Sequence, residues 1–307
     1  MKHLTLRNLH YRYIIELYAD WLTTLGYSYQ TVHHLPIYLR EFLHYQESKG
    51  IYELSELNIN HINAYYEYIK QRPNTRFKGG LSNASINNQR RMLRSFTDFL
   101  RQSGRMIIPA LDIVCLDDSK EKLNTLTEQE IKALFKATYT IDDLQREGRP
   151  PLGSRDRAML SVLYGCGLRR TEVIGLNIGD INSEQQSIFV SKGKNYKQRI
   201  VPVSPIYLNY IEEYIYTDRY TLLRGGTSDA LLISQRSVRI NDQSINVRLK
   251  KLTKHSGNEV LISKNPSLHT LRHSIATHLL HSGVQLEHIA QFLGHSSLES
   301  TQRYTQL

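Results

Sequence analysis

The stretch SLHTLRHSIATHLLHSGVQLEHIAQFLGHSSLESTQRYTQL, residues 267–307, has the pattern of three short helices separated by two glycine breaks. Ser267 follows a proline and can cap the first helix, while Gly283 and Gly294 end the first and second helices. Four apolar side chains recur at helical spacing and predict one buried face for the first helix: Leu268, Leu271, Ile275 and Leu279.

Polar side chains gather near the ends of these predicted helices. His269 and Arg272 are three residues apart, so they share a face near the positive end of the first helix. His295 follows Gly294, and Tyr304 falls on the predicted final helix. A single histidine at a helix end is usually a cap or a surface residue, and Tyr304 is one of 20 tyrosines. Together, however, these residues predict a site for an anion such as phosphate.

A second stretch, YGCGLRRTEVIGL at residues 164–176, carries two adjacent arginines. Gly165 and Gly167 break a helix that begins near residue 155, and a new helix is predicted to start near Arg169. This places Arg169 and Arg170 in a first turn, where their charge opposes the helix dipole. The arrangement favours a bound anion over the alternative, a solvated pair of surface arginines.

The segments SIFV at 187–190 and QRIVPV at 198–203 are rich in β-branched residues and predict two strands of a hairpin. The tip between them, SKGKNYK at 191–197, is basic, although a solvated turn is the ordinary explanation for such a loop. The other elements predicted in this half are helices at about 128–138, 206–220 and 242–255, and a short strand at 230–234.

The composition narrows the class of protein. The chain has 307 residues, and its 39 Lys and Arg against 29 acidic residues give a formal charge of +10, which favours a polyanionic partner. Cys115 and Cys166 lack metal-site spacing and indicate a reducing compartment without disulfides or a zinc site. No run of 18 apolar residues and no signal peptide are found, so we expect a cytoplasmic, nucleoid-associated protein without a membrane span.

The N-terminal half has the periodicity of four helices, at about 8–25, 29–48, 60–71 and 83–102. Pro36 is expected to kink the second helix or to mark a late start. A basic, turn-rich loop follows the third helix, and the aperiodic segment after residue 104 is predicted to be a linker.

The fourth predicted helix, at about 83–102, has a polar face with one sign of charge. Between Lys70 and Arg105 there are nine Lys and Arg but only one acid, Asp98. Solvated faces usually mix both signs, so this face is predicted to lie on DNA, with cations on phosphates and Asn, Gln or Arg at base edges. The predicted DNA contacts, including one in the basic hairpin tip, are Arg76, Lys78, Asn87, Arg91, Arg94, Arg101 and Lys194.

The ordered motifs resemble the tyrosine recombinase, or phage integrase, family, with the greatest likeness to Xer-type and mobile-element members. They are H-x-x-R-H at 269–273, LGH at 293–295 followed nine residues later by tyrosine, and G-L-R-x-x-E within 164–176. The resemblance implies a mainly α fold with a small β-sheet that forms a clamp around DNA. The implied parts are a helical core-binding (SAM-like) domain at 1–108, a linker at 109–124 and an α+β catalytic domain at 125–307.

The resemblance also implies the roles of the site residues. Two arginines would clamp the phosphate, His269 would exchange the proton of the nucleophile, His295 would stabilise the transition state, and a hairpin lysine would protonate the leaving oxygen. Lys192 occupies the family position, with Lys194 and Lys197 as alternatives, and Glu172 would orient neighbouring side chains. The implied catalytic set, which needs neither metal nor cofactor, is Arg169, Lys192, His269, Arg272, His295 and Tyr304.

The expected activity is therefore site-specific cutting and rejoining of double-stranded DNA core sites by a homotetramer on two DNA sites. A partner recombinase or accessory protein is possible, and the three residues after Tyr304 leave the subunit contacts open. Integration, excision, inversion and dimer resolution all remain open, as does the target sequence. The alternatives are a catalytically inactive DNA-binding relative and a type IB topoisomerase, which relaxes one strand at a time.

Overall fold

The structure is a computed structural model, and the chain divides into two compact units, Met1–Glu121 and Lys122–Leu307. Within the second unit, residues 141–143 are described by their backbone alone. The described residues are 4–75, 78–106, 109, 111, 113–117, 124–143, 152–191 and 198–294.

The first unit is helical. Its helices are α1 (Leu9–Thr24), α2 (Tyr29–Ser48), α3 (Ile59–Gln71) and α4 (Asn83–Gln102). Each begins after a polar residue whose side chain accepts a hydrogen bond from the first turn, namely Asn8, Ser28, Asn58 and Ser82. The predicted start near residue 29 is confirmed, and of the two outcomes expected at Pro36 the late start is wrong, because the Ser28 cap starts α2 about two turns before the proline. The buried residues Leu35 and Leu39 hold the helix through the proline.

A polar network crosses the core of the first unit. Glu41 forms a buried ion pair with Arg72 at 2.6 Å and accepts a hydrogen bond from Gln89 at 2.7 Å, and Gln89 in turn accepts one from the Tyr65 hydroxyl. Burial raises the pKa of Glu41, while the charge of Arg72 and the bond from Gln89 act in the opposite direction. Gln89 therefore belongs to the core, although it lies beside the predicted DNA face in the sequence.

The second unit contains most of the helices. Thr127 and Glu130 form the predicted capping box, with the Thr127 amide donating to the Glu130 carboxylate at 2.7 Å. The predicted helix at 206–220 is divided at Thr217, and the helix at Glu259–Lys264 was not predicted. The helices are α5 (Glu128–Asp143), α6 (Gly153–Leu160), α7 (Arg170–Gly175), α8 (Pro205–Tyr216), α9 (Asp218–Leu223), α10 (Asp242–His255), α11 (Glu259–Lys264), α12 (Leu268–His281) and α13 (Leu286–Leu293).

A small antiparallel sheet accompanies these helices. Its strands, in spatial order, are β1 (Ile181–Asn182), β2 (Ser187–Val190) and β3 (Arg199–Pro202). In the β2–β3 hairpin Ile188 pairs with Val201 and Val190 pairs with Arg199, which brings the apolar faces of both strands into the core. The predicted strand at 230–234 is wrong. Ala230 and Ile233 form only isolated bridges to different neighbours, so no continuous ladder develops.

The prediction of a mainly α fold with a small β-sheet is thus confirmed. Helices alternate with short connections in both units, and the described strands are confined to the second unit. Across the ranges given above, no helix is both long enough and apolar enough to cross a membrane.

Candidate active site

Helix α12 separates a buried face from a polar one, as its sequence predicts. Ser267 accepts a hydrogen bond from the Thr270 amide and caps the helix. Leu268, Leu271 and Ile275 are buried in the core of the second unit, whereas Leu279 is only partly buried. The resulting orientation leaves His269 exposed near the first turn and carries Arg272 into the interior.

Arg272 joins α12 to two other parts of the chain. Its guanidinium, 4% exposed, donates to the carbonyl oxygens of Gly167 and Leu293. Gly167 has φ +57°, and a Cβ at this position would lie 2.8 Å from the side chain of Leu293. Only glycine therefore allows the loop before α7 to lie this close to the end of α13.

The chain enters that loop through a π-helical turn at Ser161–Gly165, directly after α6. Such turns widen a helix locally and are frequent at functional sites. Arg169 follows as the N-cap residue of α7, so the expectation that it lies in the first turn is wrong by one position. Its guanidinium contacts both Glu172 of α7 and the Gly294 carbonyl at the end of α13.

Two further arginines bind the carbonyl end of α13. Arg169 Nη2 donates to the Gly294 carbonyl at 2.8 Å, and Arg199 Nε donates to the Phe292 carbonyl at 3.3 Å. Together with Arg272 they form what we call the arginine cap (Arg169, Arg199 and Arg272). The cap satisfies carbonyl groups that have no partner within the helix and opposes the negative end of its dipole.

Glu172 binds two arginines of this cap through its buried carboxylate. Its fully buried carboxylate accepts hydrogen bonds from Arg199 at 2.8 and 2.9 Å and from Arg169 Nη1 at 3.0 Å. Burial alone would raise the pKa of Glu172, but the bonds from Arg199 and the Arg169 backbone, with both positive charges, hold that pKa below its usual range. Three guanidinium groups against one carboxylate leave a net charge of +2, which suits an anionic ligand.

His269 lies in the field of this positive cluster. Partial desolvation, followed by the charges of Arg272, Arg170 and Arg169, lowers the pKa of its imidazole. Arg170 itself pairs with Asp242 at 3.1 Å and remains partly exposed. The lowered pKa favours the uncharged form of the His269 ring, which can accept a proton.

Several predicted residues lie outside the described part of the chain. The described chain ends at Gly294, the residue before His295, and the two hairpin strands end at Val190 and begin again at Arg199. The predictions for the following residues therefore stay predictions: Arg76, Lys192, Lys194, Lys197, His295 and Tyr304.

The sequence interpretation missed Arg199 as a site residue. Its signal was available, since the hairpin lysine of the family stands in a pattern like GKGxKxR, and the final arginine of that pattern falls on Arg199 of the segment SKGKNYKQR. Its position at the start of β3 indicated an ordinary strand residue, however, and its partners Glu172 and Phe292 are 27 and 93 residues away in the sequence.

The polar face of α4 in the first unit has a role that the sequence did not reveal. The Asn87 amide group donates to the Leu116 carbonyl at 2.8 Å and accepts from its amide at 2.9 Å. Arg90 donates to the Ile113 carbonyl at 2.7 Å, and Arg94 donates to the same oxygen at 3.3 Å. This part of the face holds the backbone of a segment that was predicted to be linker.

The segment bound by α4 also contributes to the core of the first unit. Leu111 and Ile113 are 7% and 4% exposed and pack in the same apolar cluster as the four helices. Lys78, in the loop before α4, and Arg91, on α4, are exposed, and Arg101 forms a surface pair with Asp98 at 3.3 Å. These three cations are available to a ligand from solution.

The comparisons with known proteins identify the family. The phage integrase family model matches residues 124–307. Tyrosine recombinase XerD of Pseudomonas aeruginosa is 37% identical over 216 residues, covering 70% of this chain and 68% of that protein. Tyrosine recombinase XerD of Corynebacterium glutamicum is 30% identical over 296 residues, covering 95% and 93%. The chain belongs to the phage integrase family of tyrosine recombinases.

Solved structures of recombinases share the fold. A XerH site-specific recombinase bound to its difH substrate aligns with a TM-score of 0.70 and 20% identity, over 94% of this chain and 81% of that one. The Tn1549 transposon integrase in complex with a circular intermediate DNA aligns with a TM-score of 0.72 and 20% identity, over 95% and 94%.

Proposed function

We propose that this protein is a site-specific DNA recombinase that cuts and rejoins strands through a covalent 3′-phosphotyrosyl intermediate. The observation that carries the proposal is the meeting of Arg169 and Arg272 at the carbonyl end of α13, one residue before His295 in the sequence. His269 lies in the field of both charges. Family membership supplies the reaction class, and the positive charge of the cluster supplies the affinity for a phosphodiester.

The two family arginines neutralise the phosphate. A guanidinium fork matches two oxygens of a phosphate, and both arginines carry a fixed positive charge. Arg169 and Arg272 would contact the two non-bridging oxygens as charge develops on them. Side chains thereby do the work that a metal ion does in many nucleases.

The proton transfers are divided between two residues. Tyr304 attacks phosphorus through its hydroxyl oxygen, and the neutral ring of His269 accepts the hydroxyl proton. The bond to the 5′ oxygen breaks, and Lys192 (or Lys194 or Lys197) gives that oxygen a proton. His295 donates a hydrogen bond to the pentavalent transition state.

The intermediate explains why no ATP is required. The phosphotyrosyl ester replaces one phosphodiester with another of similar energy, so a 5′ hydroxyl from a second DNA end can attack it and release Tyr304. Strand exchange is then two successive transesterifications of opposite direction.

The proposed assembly follows the family. The chain acts as a homotetramer on two double-stranded core sites, in the cytoplasm at the nucleoid, with a partner recombinase or accessory protein as an option. Residues 1–108 serve as the core-binding domain, residues 125–307 serve as the catalytic domain, and the two close on the duplex as a clamp. A mobile element is one source of such sites, and integration, excision, inversion and dimer resolution use the same chemistry.

Covalent trapping tests the proposed function. The protein is incubated with nicked suicide DNA carrying the sequences that flank its gene, in EDTA, and then denatured in SDS. We expect an SDS-resistant, protease-sensitive protein–DNA adduct. Specific binding without an adduct would contradict the enzymatic function in favour of a binding protein. Equal relaxation of plasmids with and without the flanking sequences would instead indicate a topoisomerase.

The pH dependence of cleavage tests the role of His269. The rate should rise with pH as the ring loses its proton, and the lowered pKa of His269 places this acid limb below the ordinary histidine value of about 6.5. Arg170→Gln removes one of the charges that lower this pKa, so the limb should move to higher pH. Single-turnover cleavage from about pH 5 to pH 8 measures the shift. Arg170→Lys keeps the charge and should leave the limb in place, and equal profiles for both variants would contradict the assignment.

Two adjacent arginines of α4, Arg90 and Arg91, should differ in their contribution to DNA binding. Arg91 is exposed, so Arg91→Ala should weaken DNA binding and lower the salt dependence of affinity by about one ion. Arg90 binds the Ile113 carbonyl, so Arg90→Ala should leave that slope nearly unchanged while lowering the unfolding midpoint. Filter binding at several salt concentrations gives both slopes. Identical losses of slope would show that the whole face of α4, including its bound segment, meets DNA.

A further inference from the structure

We propose that Arg199 is a positioning residue for strand cleavage. It ties the buried carboxylate of Glu172 to the carbonyl end of α13 and thereby fixes the chain at Gly294, the residue that precedes His295. This inference rests on the proposed function, because it assigns Arg199 an effect on the chemistry of that same site.

The first observation is that the donors of Arg199 are directed inward. Nη1 and Nη2 contact the two oxygens of Glu172 at 2.8 and 2.9 Å, and Nε contacts the Phe292 carbonyl at 3.3 Å. The side chain is 13% exposed. The fork that a phosphate would need is taken by a carboxylate with a pKa below its usual range, so Arg199 acts through its neighbours.

The second observation is the close contact between Arg199 and Gly294. Gly294 has φ +64°, and a Cβ there would lie 2.9 Å from the guanidinium carbon of Arg199. The guanidinium plane therefore forms the surface on which the chain turns out of α13. A shift of this plane would move the turn at Gly294.

The third observation is that Arg199 and Arg169 share one anchor. Glu172 Oε1 accepts from both guanidinium groups, at 2.8 and 3.0 Å. Arg169 then continues to the Gly294 carbonyl at 2.8 Å. Loss of the Arg199 fork would leave a buried carboxylate partly unpaired and free to draw Arg169 away from its place in the site.

Arg199 also connects these elements to the catalytic hairpin. It is the first residue of β3 and pairs with Val190, the last residue of β2. The hairpin tip carries Lys192, Lys194 and Lys197, the candidate general acids. One side chain thus links the base of this hairpin to the end of α13, and both neighbouring segments supply predicted catalytic groups.

The consequence is an effect on rate rather than on DNA affinity. A displacement of about 1 Å in a catalytic group can lower a rate by about 100-fold. Arg199→Lys keeps the positive charge but cannot form the two-pronged bond to Glu172 while contacting Phe292. We expect single-turnover cleavage of suicide DNA to fall by about 10- to 100-fold, with DNA affinity changed by less than about 2-fold.

A double-mutant cycle with His295→Ala distinguishes positioning from general destabilisation. If Arg199 acts by placing His295, the His295 substitution should cost far less in the Arg199→Lys background than in the wild type. Independent, multiplying losses would overturn the proposal. If Arg199→Lys fails to fold, Glu172→Gln, which keeps the shape and weakens the same anchor, takes its place in the cycle.

A matched control comes from the same unit. Arg239 also holds the carbonyl end of a helix, donating to Ile174 and Leu176 of the α7 terminus at 2.8 Å each, yet it has no bond to Glu172 or α13. Arg239→Lys should leave the cleavage rate within about 2-fold of wild type. Equal rate losses in Arg239→Lys and Arg199→Lys would show that Arg199 only stabilises the fold.

The reaction of the wild-type protein with the same suicide DNA distinguishes a failure of the recombinase function from a failure of the positioning role of Arg199. An absent wild-type adduct counts against the proposed recombinase function. A normal wild-type adduct together with unimpaired Arg199→Lys counts against the positioning role alone.

Discussion

Tyr304→Phe should abolish the covalent adduct with suicide DNA while leaving specific DNA binding intact. The substitution removes one hydroxyl group and keeps the aromatic ring, so the packing of the side chain changes little. Without the hydroxyl there is no oxygen to form the phosphotyrosyl ester. Water does not replace it, because the catalytic base is placed to take a proton from the tyrosine and not from a free water molecule. Cleavage should therefore fall below detection.

The measurement is gel electrophoresis in SDS of the wild-type and variant reactions, with protease treatment to identify the adduct. Tyr220→Phe is the control, because Tyr220 is 76% exposed in the same unit and is one of the 20 tyrosines of the chain. It should form the adduct at the wild-type rate. An adduct that persists in Tyr304→Phe would mean that a different tyrosine is the nucleophile.

The local elements of the fold were predictable because their signals lie within the elements themselves. The predicted bounds of the helix at 242–255 agree with α10, whose Asn241 cap and apolar period are both written in the sequence. The hairpin strands were predicted for the same reason. The prediction of a strand at 230–234 was wrong because a strand needs a continuous partner strand. Ala230 and Ile233 instead form bridges to two different parts of the chain.

For the site, the sequence predicted which types of residue take part and in which order they occur along the chain. The spacing of His269 and Arg272 gave a shared helix face, and the glycine break before Arg169 gave a second loop. The spacing could not give the contact between Arg272 and Gly167, which are 105 residues apart. It also could not give the close approach of the Arg199 guanidinium to Gly294. Those contacts exist only after the chain has packed.

The polar face of α4 shows a different limit. Asn87, Arg90 and Arg91 lie close together in a segment whose charged residues are nearly all basic, and the sequence alone predicts the same ligand for all three. The structure divides them, because the carbonyl groups of Leu116 and Ile113 accept hydrogen bonds from Asn87 and Arg90, whereas Arg91 is exposed. A peptide carbonyl and a DNA phosphate both accept hydrogen bonds from arginine, so composition cannot tell them apart.

Substitution of Arg169, compared with substitution of its neighbour Arg170, is the second change for which we expect a large effect on the cleavage rate. Arg169→Lys should lower single-turnover cleavage by about 10²- to 10³-fold, the usual cost of losing one donor to transition-state charge. Arg169 divides its guanidinium between Glu172, the Gly294 carbonyl and, by proposal, the phosphate. A lysine ammonium is a single point of charge and cannot span these acceptors. DNA affinity should change little, because the positive charge is kept.

Arg170→Lys is the matched control for this substitution. Arg170 is the next residue in the chain, but it pairs with Asp242 at 3.1 Å and has 39% of its side chain exposed, so a lysine can keep the pair. We expect cleavage within about 2-fold of wild type. The same contrast should appear in the ligation half-reaction, since both directions pass through one transition state. If Arg170→Lys is the damaging change and Arg169→Lys is tolerated, the phosphate lies on the α10 side of the loop, and the arginine cap serves only to hold the end of α13.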